Sequence, residues 1–166
     1  LPCFTASKNL CALGGMIANN CAGEKTLRYG KMENYVQELR VIFADGNEYT
    51  VKPLSRSQLN AKMAQGDYEG NIYKNLFTLI TENSAKIASA RPKVSKNSAG
   101  YYLWNVWNED TGIFDLTKLI VGSQGTLGIV TEAKLCLVPV EKHSKLFVVF
   151  MRDLKNLGNL VREVLE

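Results

Sequence analysis

Three glycines recur at every third position, Gly122, Gly125 and Gly128, inside the stretch LIVGSQGTLGIVTEAKLCLV that covers residues 119–138. Glycine admits positive φ and lets a ligand approach the backbone with no Cβ in the way. A turn rich in it can aim several backbone N–H groups at one point, which suits an anionic group such as phosphate. A tight chain reversal that needs glycine only for its dihedrals accounts for the spacing equally well. A second small-residue element lies near the start, LGGMIANNCAGEKTLRYG, residues 13–30. Gly14, Gly15, Ala18, Ala22 and Gly23 crowd it, as fits backbone packed against a ring system or another helix. A helix end with its C-cap explains that segment as well. Metal chemistry has little footing. Cys3, Cys11, Cys21 and Cys136 form no C-x-x-C pair, and His143 is the single histidine, so zinc-type spacing is absent. No residue stands out as a general base.

The elements around these glycines decide what kind of site they can make. A dinucleotide-binding Rossmann fingerprint needs G-x-G-x-x-G opening a helix. Here the spacing differs, and from Thr131 onward Ala133, Leu135 and Leu137 alternate with Glu132, Lys134 and Cys136, a strand pattern. The reading is strand, glycine turn, strand, and a Rossmann site is excluded. In the first element, residues 10–17 read as a short helix capped by Ser7 or Asn9. Residues 35–51 carry a hairpin signal. Leu39, Val41 and Phe43 alternate, Asp45-Gly46 supplies the turn, and Tyr49 and Val51 continue on the return strand. Residues 55–65 read as a helix. A longer one is expected from about Asn71 to Ala90, with Ile72, Leu76, Leu79, Ile80 and Ile87 at helical spacing, ended by Pro92. Residues 146–151, LFVVFM, read as a strand, followed by a helix capped by Asp153.

Composition narrows the class. The chain has 166 residues, 46% hydrophobic and 22% charged, as globular proteins have. No run reaches the roughly 20 apolar residues of a membrane span. The opening LPCFTASKNLCALGG lacks the basic start and long apolar region of a signal peptide. A cytoplasmic protein with reduced thiols is the expectation. The missing initiator Met and a last strand and helix without a return strand suggest a piece of something longer. A net charge of +4 does not by itself imply a nucleic-acid partner. Residues 83–108 hold no acidic residue, and Lys86, Arg91, Lys93 and Lys96 precede Tyr101, Tyr102, Trp104 and Trp107. Such a stretch can stack on bases, wall an anionic small molecule, or be a helix end followed by core aromatics. Nothing else in the chain supports nucleic acid, which is not expected as a partner.

Taken together and in this order, the two glycine elements resemble the FAD-linked oxidase family. This is the vanillyl-alcohol-oxidase or PCMH-type FAD-binding fold, in the branch of D-lactate dehydrogenases, glycolate oxidase flavoprotein subunits and D-2-hydroxyglutarate dehydrogenases. Residues 14–30, GGMIANNCAGEKTLRYG, resemble the family's G-G-x-I-A-x-N-x-x-G block followed by R-Y-G. Residues 36–46, VQELRVIFADG, resemble its next strand and A-D-G turn. Residues 119–133, LIVGSQGTLGIVTEA, resemble its G-S-E-G-T-L-G-I-V-T-E block, with Gln124 where Glu is usual. PKVSKNSAGY, residues 92–101, resembles a segment that precedes that block in long members.

The resemblance implies an α+β chain holding the second subdomain of an FAD-binding domain over residues 1–142, a mixed sheet flanked by helices. Residues 143–166 would then open a cap domain. The first subdomain, with its pyrophosphate loop, and the rest of the cap would be partners from the same protein. FAD is the implied cofactor. Ser7 and the run Gly14, Gly15, Met16, Ile17, Ala18, Asn19 and Asn20 would lie along it. Gly122, Ser123, Gln124, Gly125, Thr126 and Gly128 would pack against it, and the backbone of Ile129 and Val130 would reach toward it by hydrogen bonds. The implied activity is oxidation of a 2-hydroxy acid such as D-lactate, glycolate or D-2-hydroxyglutarate by hydride transfer to flavin N5, with the base and most substrate-binding groups in the cap. A non-catalytic member that keeps the fold for binding or assembly is the alternative. Isolated from its other half, the chain is expected to be inactive and to self-associate through uncovered apolar surface.

Overall fold

The computed structural model describes residues 1–94 and 97–165. Lys96, one of the basic residues singled out above, and the terminal Glu166 lie outside them. The elements in chain order are α1 (Leu13–Ala18), α2 (Thr26–Tyr29), β1 (Val36–Ile42), β2 (Glu48–Val51), β3 (Leu54–Ser55), α3 (Arg56–Met63), α4 (Tyr68–Glu82), α5 (Ser84–Ala90), β4 (Trp107–Asn108), β5 (Ile113–Phe114), α6 (Thr117–Ile120), β6 (Ile129–Leu135) and α7 (Leu157–Leu165). Two 3₁₀ turns, Met32–Asn34 and Leu103–Asn105, join them.

The hairpin forms where the Asp45-Gly46 signal places it. The Asp45 carboxylate accepts from the Asn47 N–H at 3.1 Å, the Asn47 amide at 2.9 Å and the Tyr49 hydroxyl at 2.5 Å. β1 then takes β6 on its other edge, giving the strand order β2-β1-β6. A second small sheet has the order β3-β5-β4. Every pairing is antiparallel. This corrects the mixed sheet expected from the sequence: the described chain has helices with small antiparallel sheets, an α+β arrangement. The inward face of β1 carries Leu39 and Val41, both fully buried, opposite Val51 and Tyr49 of β2. They pack with Met16, Ile17, Leu119, Ile120 and Val121 in one core.

α3 starts with a reciprocal cap. Ser55 Oγ accepts from the Gln58 N–H, and the Gln58 side chain accepts from the Ser55 N–H. The expected long helix divides into α4 and α5 at Asn83. Its side-chain amide and backbone N–H both donate to the Leu79 carbonyl, the local bonding that lets asparagine compete with helix continuation. Between α4 and the second sheet lies an aromatic group. Tyr73 and Phe77 face Phe114, Trp107 stands edge-on to Phe77 at 5.3 Å between centroids, and the Arg56 guanidinium covers both Phe77 and Trp107. Trp107 is therefore half-buried against a protein ring, not set out for a base.

Three further expectations are corrected. The first helix begins at Leu13 with no side-chain cap, so neither Ser7 nor Asn9 starts it. Residues 146–151 form no strand and are largely exposed: a strand needs a partner for its backbone groups, and this run pairs with none of the described residues. Asp153 accepts from the Lys155 N–H at 3.0 Å in a local turn, and α7 starts later, at Leu157. The apolar residues of 146–151 and the outer face of α7 stand open, Phe147 and Phe150 being 85% and 94% exposed.

β1 carries the core, so truncating its centre has a large cost. Leu39→Ala is expected to lower unfolding stability by about 2–5 kcal/mol, read from the midpoint of urea denaturation. An unchanged midpoint would remove β1 from that role.

Candidate cofactor site

The stretch before the glycines is helical, not a strand. Asp115 is buried, and its Oδ1 accepts from the Thr117 N–H at 3.0 Å and the Thr117 hydroxyl at 2.6 Å. This Asx turn starts the single-turn helix α6. An apolar run of that length does not by its periodicity separate a buried strand from a buried helical turn. The element is thus helix, glycine turn, strand. The turn proper holds three left-handed residues, Gly122 (φ 85°), Gln124 (φ 54°) and Gly125 (φ 79°).

The turn docks on α1. The Gly122 N–H donates to the Ile17 carbonyl at 3.0 Å, and the Gln124 N–H donates to the Ala18 carbonyl at 2.9 Å. Ser123 N–H returns to Ile120, and Thr126 N–H to Ser123. The backbone donors that could have converged on an anion are mostly turned inward to hold the turn in place. Among the described residues the N–H of Gly125 alone of Gly122 to Thr126 finds no acceptor. The side chain of Gln124 takes no part in the docking, so the change from the family's Glu leaves this backbone arrangement intact.

Docking the turn on α1 opens a cleft of about 260 Å³ lined by Gly14, Gly15 and Ala18 of α1, Ile120 of α6, Ser123, Gln124, Gly125 and Gly128 of the turn, and Ile129 and Val130 of β6. Both glycine elements of the sequence meet here. Their glycines serve different ends. A Cβ on Gly14, Gly15 or Gly125 would touch nothing within 4 Å, so this chain leaves that space free. A Cβ on Gly128 would stand 2.6 Å from Val41 Cγ1 and 2.9 Å from the Ile42 carbonyl oxygen, so Gly128 is required by the packing of the turn on β1.

The remaining residues singled out in the sequence lie elsewhere. Met16 and Ile17 are buried in the core behind the cleft wall. Asn19 is exposed, and Asn20 is buried at φ 45° with Oδ1 accepting from the Glu33 N–H at 2.9 Å. Thr126 is exposed and outside the lining, its hydroxyl donating to the Ser123 carbonyl at 2.6 Å. Ser7 is exposed in the first loop, its hydroxyl 2.9 Å from that of Thr5, and does not line the cleft. Ile120 is the lining residue that sequence reasoning missed. Its only signal is the apolar run before Gly122. Among the described residues no group of His, Cys, Asp and Glu could hold a metal ion, and no helix is long and apolar enough to cross a membrane.

Residues 1–52 match the family model described as an FAD binding domain. The chain is 32% identical over 137 residues to a D-2-hydroxyglutarate dehydrogenase of Pantoea ananatis, covering 82% of this chain and 13% of that protein. It is 30% identical over 141 residues to the D-2-hydroxyglutarate dehydrogenase of Escherichia coli, covering 85% and 14%. A mitochondrial D-lactate dehydrogenase [cytochrome] of Arabidopsis thaliana is 29% identical over 133 residues, covering 80% and 14%. The chain belongs to the FAD-linked oxidase family. It spans only 13–14% of the length of these relatives, and the cofactor of its domain is FAD.

The cleft fits part of that cofactor. Small-molecule pockets run to roughly 300–1,000 Å³, and a cleft of about 260 Å³ has room for one portion of a dinucleotide. The unfilled space over Gly14, Gly15 and Gly125 is what a closely approaching ligand needs. Two substitutions separate ligand contact from packing. Gly14→Ala is expected to leave the apoprotein as stable or up to about 1 kcal/mol more so, because alanine favours the helix, while weakening FAD binding. Gly128→Ala is expected to destabilise the apoprotein by about 1–3 kcal/mol through overpacking on β1. Urea denaturation of the apoprotein and a fluorescence titration with FAD measure both.

Proposed function

We propose that this chain is part of an FAD-dependent oxidoreductase that oxidises a 2-hydroxy acid such as D-2-hydroxyglutarate, D-lactate or glycolate. The observation that carries this reading is the meeting of the two glycine elements in one cleft, in a chain whose relatives are dehydrogenases of such acids. The chemistry that FAD supplies when bound is two-electron acceptance at flavin N5, of hydride from the carbon bearing the hydroxyl. The task of this chain is to bind and to orient. Gly14, Gly15 and Ala18 give one flat wall, and Gly125, Ile129 and Val130 the opposite one. Ile120 closes the floor with an apolar side chain that keeps water from the cofactor.

Residues 1–142 are then the second subdomain of the FAD-binding domain and residues 143–166 the opening of a cap domain. The groups that hold the acid's carboxylate and remove its hydroxyl proton belong to other parts of the protein, since the cleft lining carries no titratable side chain. The exposed apolar residues of 146–151 and of α7 are the surface that the rest of the cap covers. Without that cover they favour association of copies of the chain.

Anaerobic addition of each acid to the purified intact protein, of which this chain is a part, tests the reading. Bleaching of the bound flavin's visible absorbance is expected with at least one of D-2-hydroxyglutarate, D-lactate and glycolate. A protein that carries flavin and is bleached by none of them is not a 2-hydroxy-acid dehydrogenase, and one that takes up no flavin returns the non-catalytic reading.

A further inference from the structure

Tyr101 stands outside the cleft lining and is nevertheless built onto the glycine turn. It adopts φ 51°, a left-handed conformation in which a bulky aromatic residue is strained. Its ring is 45% exposed, so burial does not explain why the strain is kept. Its hydroxyl meets the Thr126 hydroxyl. Thr126 gives its single proton to the Ser123 carbonyl at 2.6 Å, which makes Tyr101 the donor in the pair. The chain of bonds therefore runs from Tyr101 through Thr126 to Ser123, across the outer side of the turn that bears Gly125.

The segment carrying Tyr101 is fixed from both sides. A Cβ on Gly100 would collide with the Gly122 carbonyl oxygen, so the two backbones lie in direct contact there. Lys31 donates to the Asn97 carbonyl at 2.5 Å and to the Tyr102 hydroxyl at 2.6 Å, with its ammonium 4.5 Å from the centre of the Tyr102 ring. The Leu103 N–H closes on the Tyr101 carbonyl at 2.8 Å. Strain that neighbouring structure holds in place is found where geometry serves a site.

We propose that Tyr101 is a positioning residue of the FAD site, acting through Thr126 to hold the Ser123–Gly125 turn in the shape that receives the cofactor. The proposal rests on the assignment of FAD to the cleft. It accounts for an aromatic residue at positive φ, for its exposure, and for a hydroxyl pair on a turn whose Gly122 and Gln124 N–H groups are already engaged with α1.

The test is a double-mutant cycle on FAD affinity in the intact protein, with Tyr101→Phe, Thr126→Val and the pair together. The apoprotein is titrated with FAD by fluorescence quenching and anisotropy, and its urea midpoint is measured alongside. Tyr101→Phe is expected to raise the FAD dissociation constant roughly three- to tenfold, the range for one lost hydrogen bond, with an unchanged urea midpoint. The double variant is expected to bind no more weakly than the weaker single variant, since both remove the same link. Tyr101→Phe binding FAD as tightly as the parent, or a double variant whose loss is the product of the single losses, overturns the role. A parent protein that binds no FAD overturns the cofactor assignment and the proposal with it.

Discussion

The cleft depends on two hydrogen bonds, from the Gly122 and Gln124 N–H groups to the carbonyls of Ile17 and Ala18. The last carbonyls of a helix have no partner within it. α1 has six residues and no side-chain cap, too few to persist alone in water. The glycine turn supplies donors from far along the chain, the Gln124 N–H to Ala18 and the Gly122 N–H to Ile17 beside the local Asn20 N–H, so each element supports the other. Left-handed dihedrals at Gly122, Gln124 and Gly125 turn the backbone so that these donors point at α1.

The sheet decides where that turn can sit. β6 pairs with β1 so that Val130 lies opposite Val41 and Ile129 opposite Ile42. Gly128 immediately precedes this register, where a Cβ would run into Val41, the Ile42 carbonyl and Phe43. Irregularities between Val36 and Glu38 and between Arg40 and Val41 bend the pair, as bulges do. β1 therefore serves twice, with its inward side chains in the core and its end under the turn. A slip of one residue would move Val41 off the core face and carry the cleft wall with it.

Much of this was legible in the sequence, for stated physical reasons. Asp45-Gly46 between alternating apolar residues fixes a hairpin because local turn chemistry and strand period agree. The helix read over residues 55–65 forms as α3, and the two glycine elements line one cleft. The failures cluster where tertiary context outweighs local pattern. The Asx turn of Asp115 changes an apolar run from strand to helix. Asn83 ends α4 by bonding Leu79 in the midst of unbroken helical spacing. Residues 146–151 have strand composition and no partner. Met16 and Ile17 sit between cleft residues in sequence, yet a helix puts alternate sides in different surroundings, and they face the core. Ile120 was hidden for the opposite reason: one more apolar residue in an apolar run gives no sign that it lines the cleft.

The lining of the cleft is entirely uncharged, from Gly14 and Gly15 through Ile120 to Val130. On the proposed assignment, an anionic dinucleotide settling against it meets shape and apolar contact in place of ionised partners. Coulombic attraction weakens as dissolved ions screen it, whereas contact of this kind does not. This half of the site should therefore hold its share of the cofactor almost equally well in dilute buffer and in concentrated salt, and any ionic-strength dependence of the whole site must arise from residues across the cleft.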